Sequence, residues 1–186
     1  MSDGLGCENP PARSGRSARS GTTSARGALA VTALLVVPIA LVPVPGEELT
    51  VVSLWGLLTV GPTVSPGGVH IYPIWSYFLD QPRPFGTLPA SIRLWPVATG
   101  FHLLAATSAA CGAVFGREDR RVTGWLLVLA ALATLTVTVG LADRLAGGLF
   151  VDGGVGGLPV VLPLATLASL VVVTAEYRRD LRRLVG

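Results

Sequence analysis

The chain has 186 residues, of which 51% are hydrophobic and only 13% are charged. Soluble domains carry about 25% charged residues, so this composition argues against an ordinary soluble protein. The net charge of +3 comes from fourteen basic residues, all of them arginine. Because these arginines cluster beside apolar stretches, we interpret them as topology signals and contacts with anionic lipid, and we expect no nucleic-acid partner.

Long apolar stretches dominate the chain, at residues 28–45, 94–115, 122–142 and 157–175. As helices they would each be roughly 27–33 Å long, which matches the hydrocarbon thickness of a bilayer. The sequence therefore predicts an all-α membrane protein. Its expected architecture is a bundle of four transmembrane helices within residues 27–176, with an extracytoplasmic cap loop at 46–93.

The two tails are basic. Residues 1–26 are rich in Ser, Gly and Arg without apolar periodicity, which predicts a disordered tail, and residues 177–186 form a second basic tail. Eleven of the fourteen arginines fall in these tails or in the loop 116–121. The positive-inside rule then places both termini in the cytoplasm of a multi-pass protein of the cell membrane. The first stretch is expected to be an uncleaved signal anchor, since no small-x-small cleavage pattern follows it.

Aromatic residues mark the ends of the predicted spans. Trp95 opens the second span, Trp125 opens the third, and Tyr177 closes the fourth. Amphipathic aromatic rings favour the headgroup level of a bilayer. We therefore predict that these three residues are interfacial anchors.

The cap loop is unusually apolar. Residues 49–60 are too short to span as a helix, and they could form a re-entrant hairpin, an interfacial segment or a strand packed on the bundle. Residues 73–80 have helical apolar spacing, which predicts a short helix lying flat on the outer leaflet. Its surface, with Trp75 and Phe78, is interpreted as a lid, or else as a docking surface for a partner or lipid.

His102 is the most prominent candidate functional residue. It lies about eight residues into the second span, and an ionisable group at that depth faces the bundle interior or a cavity. It could be a neutral imidazole bonded to a hydroxyl or a free carbonyl, or else a proton relay or ligand site. Thr134 and Thr138 share one face of the third span and could join helices or line a path with it.

No motif predicts catalysis, a metal site or a cofactor. His70 and His102 lie on different predicted elements, and no serine forms a recognisable pattern with a histidine and an acid. We therefore expect no catalytic residue, no metal and no cofactor.

Several runs carry a family resemblance: Trp55-Gly-Leu57, Leu94-Trp-Pro-Val97 and, most specifically, residues 117–128. Together they resemble an uncharacterised family of small, multi-span haloarchaeal membrane proteins, over roughly residues 30–175. The resemblance implies a membrane location and a salt-loving archaeal host. It implies no catalytic residue, because the family has no assigned activity.

Two functional hypotheses follow. The first is a non-enzymatic accessory or interaction protein, which would form a homo-oligomer or bind another membrane protein. The second is a subunit of a small-solute or ion permease, with His102 and the threonines in a polar path. An enzyme acting on lipid comes third.

Overall fold

The computed structural model describes residues 20–44, 48–61, 68–80, 84–116, 119–149, 161–179 and 181. The helices are α1 Ser20–Ala33, α2 Ile74–Leu79, α3 Ala90–Arg93, α4 Trp95–Phe115, α5 Arg120–Leu149 and α6 Leu164–Val172. The strands are β1 Ala40–Val44, β2 Glu48–Ser53, β3 Gly56–Val60 and β4 Val69–Pro73. They form one antiparallel sheet in the order β1-β2-β3-β4. Short 3₁₀ turns follow α1 and precede α3, at Leu34–Val36 and Phe85–Thr87, and a π-helical turn, Val173–Tyr177, continues α6.

The prediction of an all-α bundle of four transmembrane helices is wrong. Much of the expected cap loop, together with the end of the first predicted span, forms the four-stranded sheet. By length and composition, two helices of the described part could cross a membrane, Ala90–Phe115 and Arg120–Asp143. The apolar helices at Ala25–Val36 and Leu164–Tyr177 are shorter. Helix α1 also begins at Ser20, inside the segment that was assigned to the basic tail.

Proline explains why the first apolar stretch is not one helix. The 3₁₀ turn after α1 ends at Val36, and Val37 has extended backbone angles because Pro38 follows it. The chain then enters β1, where Pro43 pairs with Leu49. An edge strand tolerates Pro43, which has no backbone N–H to donate to a sheet. In the fourth stretch, Pro163 directly precedes α6.

Residues 49–60 form a tight β-hairpin, one of the three conformations that the sequence left open. Gly56, the first residue of β3 after the turn, has φ of +152°, and a Cβ there would lie 2.3 Å from the carbonyl oxygen of Tyr72. Glycine is therefore required at this position. The Ser53 hydroxyl donates to the Gly56 carbonyl at 2.9 Å and closes the turn. The short helix expected at 73–80 forms as α2.

The hairpin turn joins the sheet to the helices. The Trp95 indole donates to the Ser53 carbonyl at 3.0 Å, and the Thr99 hydroxyl donates to the Leu54 carbonyl at 3.0 Å. The Trp55 indole donates to the Leu35 carbonyl at 2.8 Å. Leu54 is fully buried in this contact. We call this end of the helices, where α1 finishes and α4 begins, the sheet end.

The opposite end is built around Arg120. Its guanidinium donates to the Glu176 carbonyl and lies 5.2 Å from the ring centroid of Tyr177. A Cβ at Gly27 would lie 3.7 Å from the Tyr177 hydroxyl, so the first half of α1 also reaches this point. The start of α5, the end of α6 and α1 therefore meet here, at what we call the arginine end.

Small residues allow the helices to approach closely. Ala98, Ala105 and Ala109 of α4 are fully buried, as is Ala130 of α5. The tightest approach is at Gly140 of α5, where a Cβ would lie 2.2 Å from the Cβ of Ser91. The missing side chain at Gly140 is therefore what lets α3 pack on α5.

We predict that Gly140→Ala destabilises the fold by about 1–3 kcal/mol, because the added methyl group overlaps Ser91. Thermal unfolding in detergent, followed by circular dichroism, measures the effect. Gly100→Ala is the matched control, since a Cβ at Gly100 meets nothing within 4 Å. Adding Ser91→Gly to Gly140→Ala should restore much of the lost stability. Equal melting temperatures for Gly140→Ala and Gly100→Ala would contradict this packing.

Candidate functional site: a buried polar seam

Polar side chains line the contact between α4, α5 and α6. All are buried, and we call this set the polar seam: Thr99, His102, Thr134, Thr138, Thr166 and Ser169. The three residues predicted from the sequence, His102, Thr134 and Thr138, all belong to it. The structure thus brings together side chains from three helices that are far apart in the chain.

His102 is 1% exposed and hydrogen-bonded at both ring nitrogens. Nδ1 lies 2.9 Å from the carbonyl oxygen of Ala98, one turn earlier in α4, and Nε2 lies 3.2 Å from Oγ of Ser169 in α6. A carbonyl can only accept, so Nδ1 carries the proton. In the neutral ring Nε2 is then the acceptor, and the Ser169 hydroxyl donates to it.

Threonine hydroxyls form a second side-chain contact, between α5 and α6. The hydroxyl oxygens of Thr134 and Thr166 lie 3.0 Å apart, and Thr134 also donates to the Ala130 carbonyl at 3.0 Å. Thr138 donates to the Thr134 carbonyl within α5, at 2.8 Å. One face of α5 is thereby tied to α6 beside the His102 contact.

A third hydroxyl pair joins α4 to α5 outside the seam. Ser108 and Thr123 have hydroxyl oxygens 2.8 Å apart. His102–Ser169 joins α4 to α6, and Thr134–Thr166 joins α5 to α6. A side-chain hydrogen bond therefore connects every two of these three helices. Among the residues that the structure describes, no buried side-chain polar atom lacks a partner.

The Ser169–His102 pair has the polarity of a nucleophile with its base. The hydroxyl donates to an imidazole whose other nitrogen is held by a carbonyl, as in a nucleophile oriented by its base. However, Ser169 is 0% exposed, so its oxygen has no contact with the outside of the protein. In this conformation the pair serves helix packing.

The predicted anchors lie in different surroundings. Trp125 is 47% exposed near the start of α5. Trp95 and Tyr177 are buried, the first under the hairpin turn and the second beneath Arg120. Of the cap residues, Trp75 is 58% exposed, whereas the ring of Phe78 packs 6.2 Å from that of Trp95.

The sequence analysis did not identify Ser169 as the partner of His102. Helix periodicity gives only the face on which a residue lies and not the residue that packs opposite it. Within the described residues, no group of three or more His, Cys, Asp or Glu side chains could hold a metal ion. The seam itself offers one imidazole and hydroxyls, which is a poor metal site.

Comparison with known proteins assigns the chain to a family without a known activity. Residues 9–186 match the model of a domain of unknown function (DUF8050), so the chain belongs to this family. The prediction of an uncharacterised family is confirmed at that level. No curated protein matches the chain.

We predict that Ser169→Ala lowers the free energy of unfolding by about 1 kcal/mol, because Nε2 of His102 loses its donor in a buried position. Thr107→Val is the control, since Thr107 is exposed and bonds only to the Leu103 carbonyl of its own helix. A double-mutant cycle with His102→Ala should show coupling between the two sites. If the losses of unfolding free energy in the two single variants simply add in the double variant, the Ser169–His102 hydrogen bond contributes nothing to stability.

Proposed function

We propose that this protein is an integral protein of the cell membrane and that it acts as a non-enzymatic accessory or interaction protein. One observation carries the membrane part of the proposal. Most large apolar side chains described on α4, α5 and α6 point outward, while the buried faces of these helices consist mainly of small and hydroxyl-bearing residues, with Leu127 and Val137 among the exceptions. This distribution is the reverse of that in a soluble bundle.

The outward side chains are large and numerous. Exposed apolar residues on α4, α5 and α6 include Val97, Leu103, Leu104, Val114, Phe115, Val122, Leu129, Leu132, Leu135, Val139, Leu167, Leu170 and Val171. We call this surface the apolar belt. Soluble monomers rarely expose contiguous apolar patches above a few hundred Å². The belt supports contact with lipid acyl chains.

The inward side chains are of the kind that allows helices to associate within a lipid bilayer. Lipid tails are as apolar as leucine, so helices there associate through close packing and hydrogen bonds rather than through the hydrophobic effect. The buried faces of α4, α5 and α6 supply both, as alanines and the polar seam. Moreover, only 39% of the most apolar window of each long helix is buried. The core helix of a soluble protein would be mostly buried.

The positions of the exposed arginines support one orientation of the protein in the membrane. Exposed arginines at the arginine end are Arg26, Arg121, Arg178 and Arg179. The positive-inside rule places such residues in the cytoplasm, and exposed Trp125 in the first turns of α5 suits the inner headgroup level. We therefore propose that the arginine end faces the cytoplasm, together with both termini, and that the sheet end faces outward. The salt-loving archaeal host that the resemblance implies stays a prediction.

The polar seam supports an accessory role better than the permease alternative. In a transport path, polar groups would have to be reachable by the solute. Both nitrogens of His102 are instead occupied by Ala98 and Ser169, and the seam threonines bond to each other or to carbonyls. The seam therefore holds helices together, and the apolar belt remains for contact with lipid, a second copy or another membrane protein.

Labelling of cysteines with a membrane-impermeant maleimide tests the location and orientation. We predict that Cys7, in a Cys111→Ser variant, reacts only after cells are lysed. Gly86→Cys in a Cys7→Ser, Cys111→Ser background should react in intact cells, because Gly86 is exposed in the turn at the sheet end and has free space around its Cβ.

Equal labelling of both positions before and after lysis would contradict the proposed orientation. Recovery of the protein in the soluble fraction after carbonate extraction, without detergent, would contradict the membrane location itself.

Mass photometry of mild detergent extracts tests the interaction role. We predict a mass above that of one 19.2 kDa chain in its detergent micelle, from an oligomer or a bound partner. A strictly monomeric species would count against that role. A His102→Ala variant that abolished solute flux in proteoliposomes while remaining folded would favour the permease alternative instead.

A further inference from the structure

We propose that the outer face of the sheet and helix α2 contact the lipids of the outer leaflet, so that the cap is a membrane-embedded layer rather than a domain in water. This inference rests on the proposed membrane location. The inference goes beyond that location, because a sheet at the end of a helical bundle could equally project into the aqueous medium.

Strand register defines the two faces of the sheet. The row Thr50–Thr59–His70 and the row Val52–Leu57–Tyr72 lie on one face, together with buried Ala40 and Val42 of β1. Val52 is also buried, and Leu57 packs against the same core. This face therefore lies on the helices, and we call it the inner face of the sheet.

The outer face is aliphatic in two cross-strand rows of β2, β3 and β4, and Ser53 and Gly56 lie on it next to the hairpin turn. Its rows are Leu49–Val60–Val69 and Val51–Leu58–Ile71. In a sheet with one solvated face, the outward positions are polar. The inner face also carries aliphatic side chains, at Val42, Val52 and Leu57, beside the hydroxyls of Thr50 and Thr59, which lie 3.4 Å apart. Aliphatic side chains therefore occupy both faces of the sheet, including the face that points away from the helices.

Charged residues border this region at Glu48, the first residue of β2, and at Asp80, which follows α2, but none lies between them. From Leu49 to Leu79 the chain contains no Asp, Glu, Lys or Arg. About a quarter of the residues in a water-exposed domain are charged. A protein–protein interface normally has a polar rim around its apolar core, and such a rim commonly carries charge. An uncharged surface with exposed tryptophans at Trp55 and Trp75 fits a bilayer better than either water or a second protein.

The open edge of the sheet limits how deeply the sheet can enter the bilayer. Strand β4 ends the strand order, and among the described residues only β3 borders it. Its outer edge presents backbone N–H and C=O groups, which cost several kcal/mol each when unpaired in hydrocarbon. The edge must therefore reach the headgroup region, where water and polar lipid groups can pair with it. The aliphatic face then contacts the upper acyl chains.

The attachment of the sheet is consistent with this depth. The helix Ala90–Phe115 has 26 residues and would be about 39 Å long, which exceeds the hydrocarbon thickness of about 30 Å. Its first turns can therefore stand in the interface. The excess of about 9 Å corresponds to about six residues and ends near Trp95. Trp95 and, one turn deeper, Thr99 hold the hairpin by hydrogen bonds to Ser53 and Leu54. The sheet is fixed at the height of the interface by these contacts.

Spin-label accessibility in liposomes tests the inference. Nitroxides are placed at Ile71→Cys, 68% exposed on the outer face, and at Leu79→Cys, 80% exposed on α2, each in a Cys7→Ser, Cys111→Ser background. We expect collisions with oxygen, which concentrates in lipid, to exceed those with a water-soluble nickel chelate at both sites. Native Cys7, labelled in a Cys111→Ser variant, supplies the water reference, and the oxygen-to-nickel ratio at 71 and 79 should be severalfold above it.

A spin label at Leu132→Cys, in the apolar belt, distinguishes a failure of this inference from a failure of the proposed function. Lipid-like accessibility at 132 with nickel-dominated collisions at 71 and 79 would overturn the inference and leave the membrane location standing. Low collision rates with both reagents at 71 and 79 would also overturn it, because a protein would then cover the face; spin–spin broadening would identify that protein as a second copy. Nickel-dominated collisions at 132 would remove the proposed function itself.

Discussion

Close approach between helices with small inward side chains is the constraint on which this structure depends. Alanine faces and Gly140 bring α3, α4 and α5 into contact, and at that separation short hydroxyl side chains can reach across. Each pair among α4, α5 and α6 shares one such bond. Larger inward residues would push the helices apart and leave these polar groups without partners, which is costly in a buried site.

Side-chain hydrogen bonds to the hairpin turn connect the helices to the sheet. The first turns of α4 carry Trp95 and Thr99, whose side chains bond to carbonyls in the hairpin turn. Gly56 allows that turn to lie against Tyr72, so β3 and β4 stay paired close to the helix ends. Stability at the sheet end therefore comes from a few directional contacts around the buried side chains of Trp95 and Leu54.

Sequence reasoning was successful where a pattern is local. The apolar helices predicted at 94–115 and 122–142 form as α4 and α5, and His102 is buried on the same face of α4 as Ala98, Ala105 and Ala109. It failed at the first stretch, where residues 40–44 are as apolar as a helix would be. Their strand conformation depends on pairing with β2, which hydropathy does not report. Pro38 and Pro43 were the available signals, since proline favours the end of a helix and tolerates an edge strand. Ser169 was not identified as the partner of His102 because that contact joins residues 67 positions apart.

The central claim is that the apolar belt faces lipid, while the alanines and the polar seam of α4, α5 and α6 face each other. Reconstitution with a phospholipid that carries a photoreactive diazirine on its acyl chain, followed by mass spectrometry of the labelled peptides, tests it most directly. The account predicts adducts on Leu132, Leu135 and Val139 of α5, and none on Ala130, Ala131 or Thr134 of the same helix. Adducts that are absent, or that fall equally on both faces of α5, would contradict it.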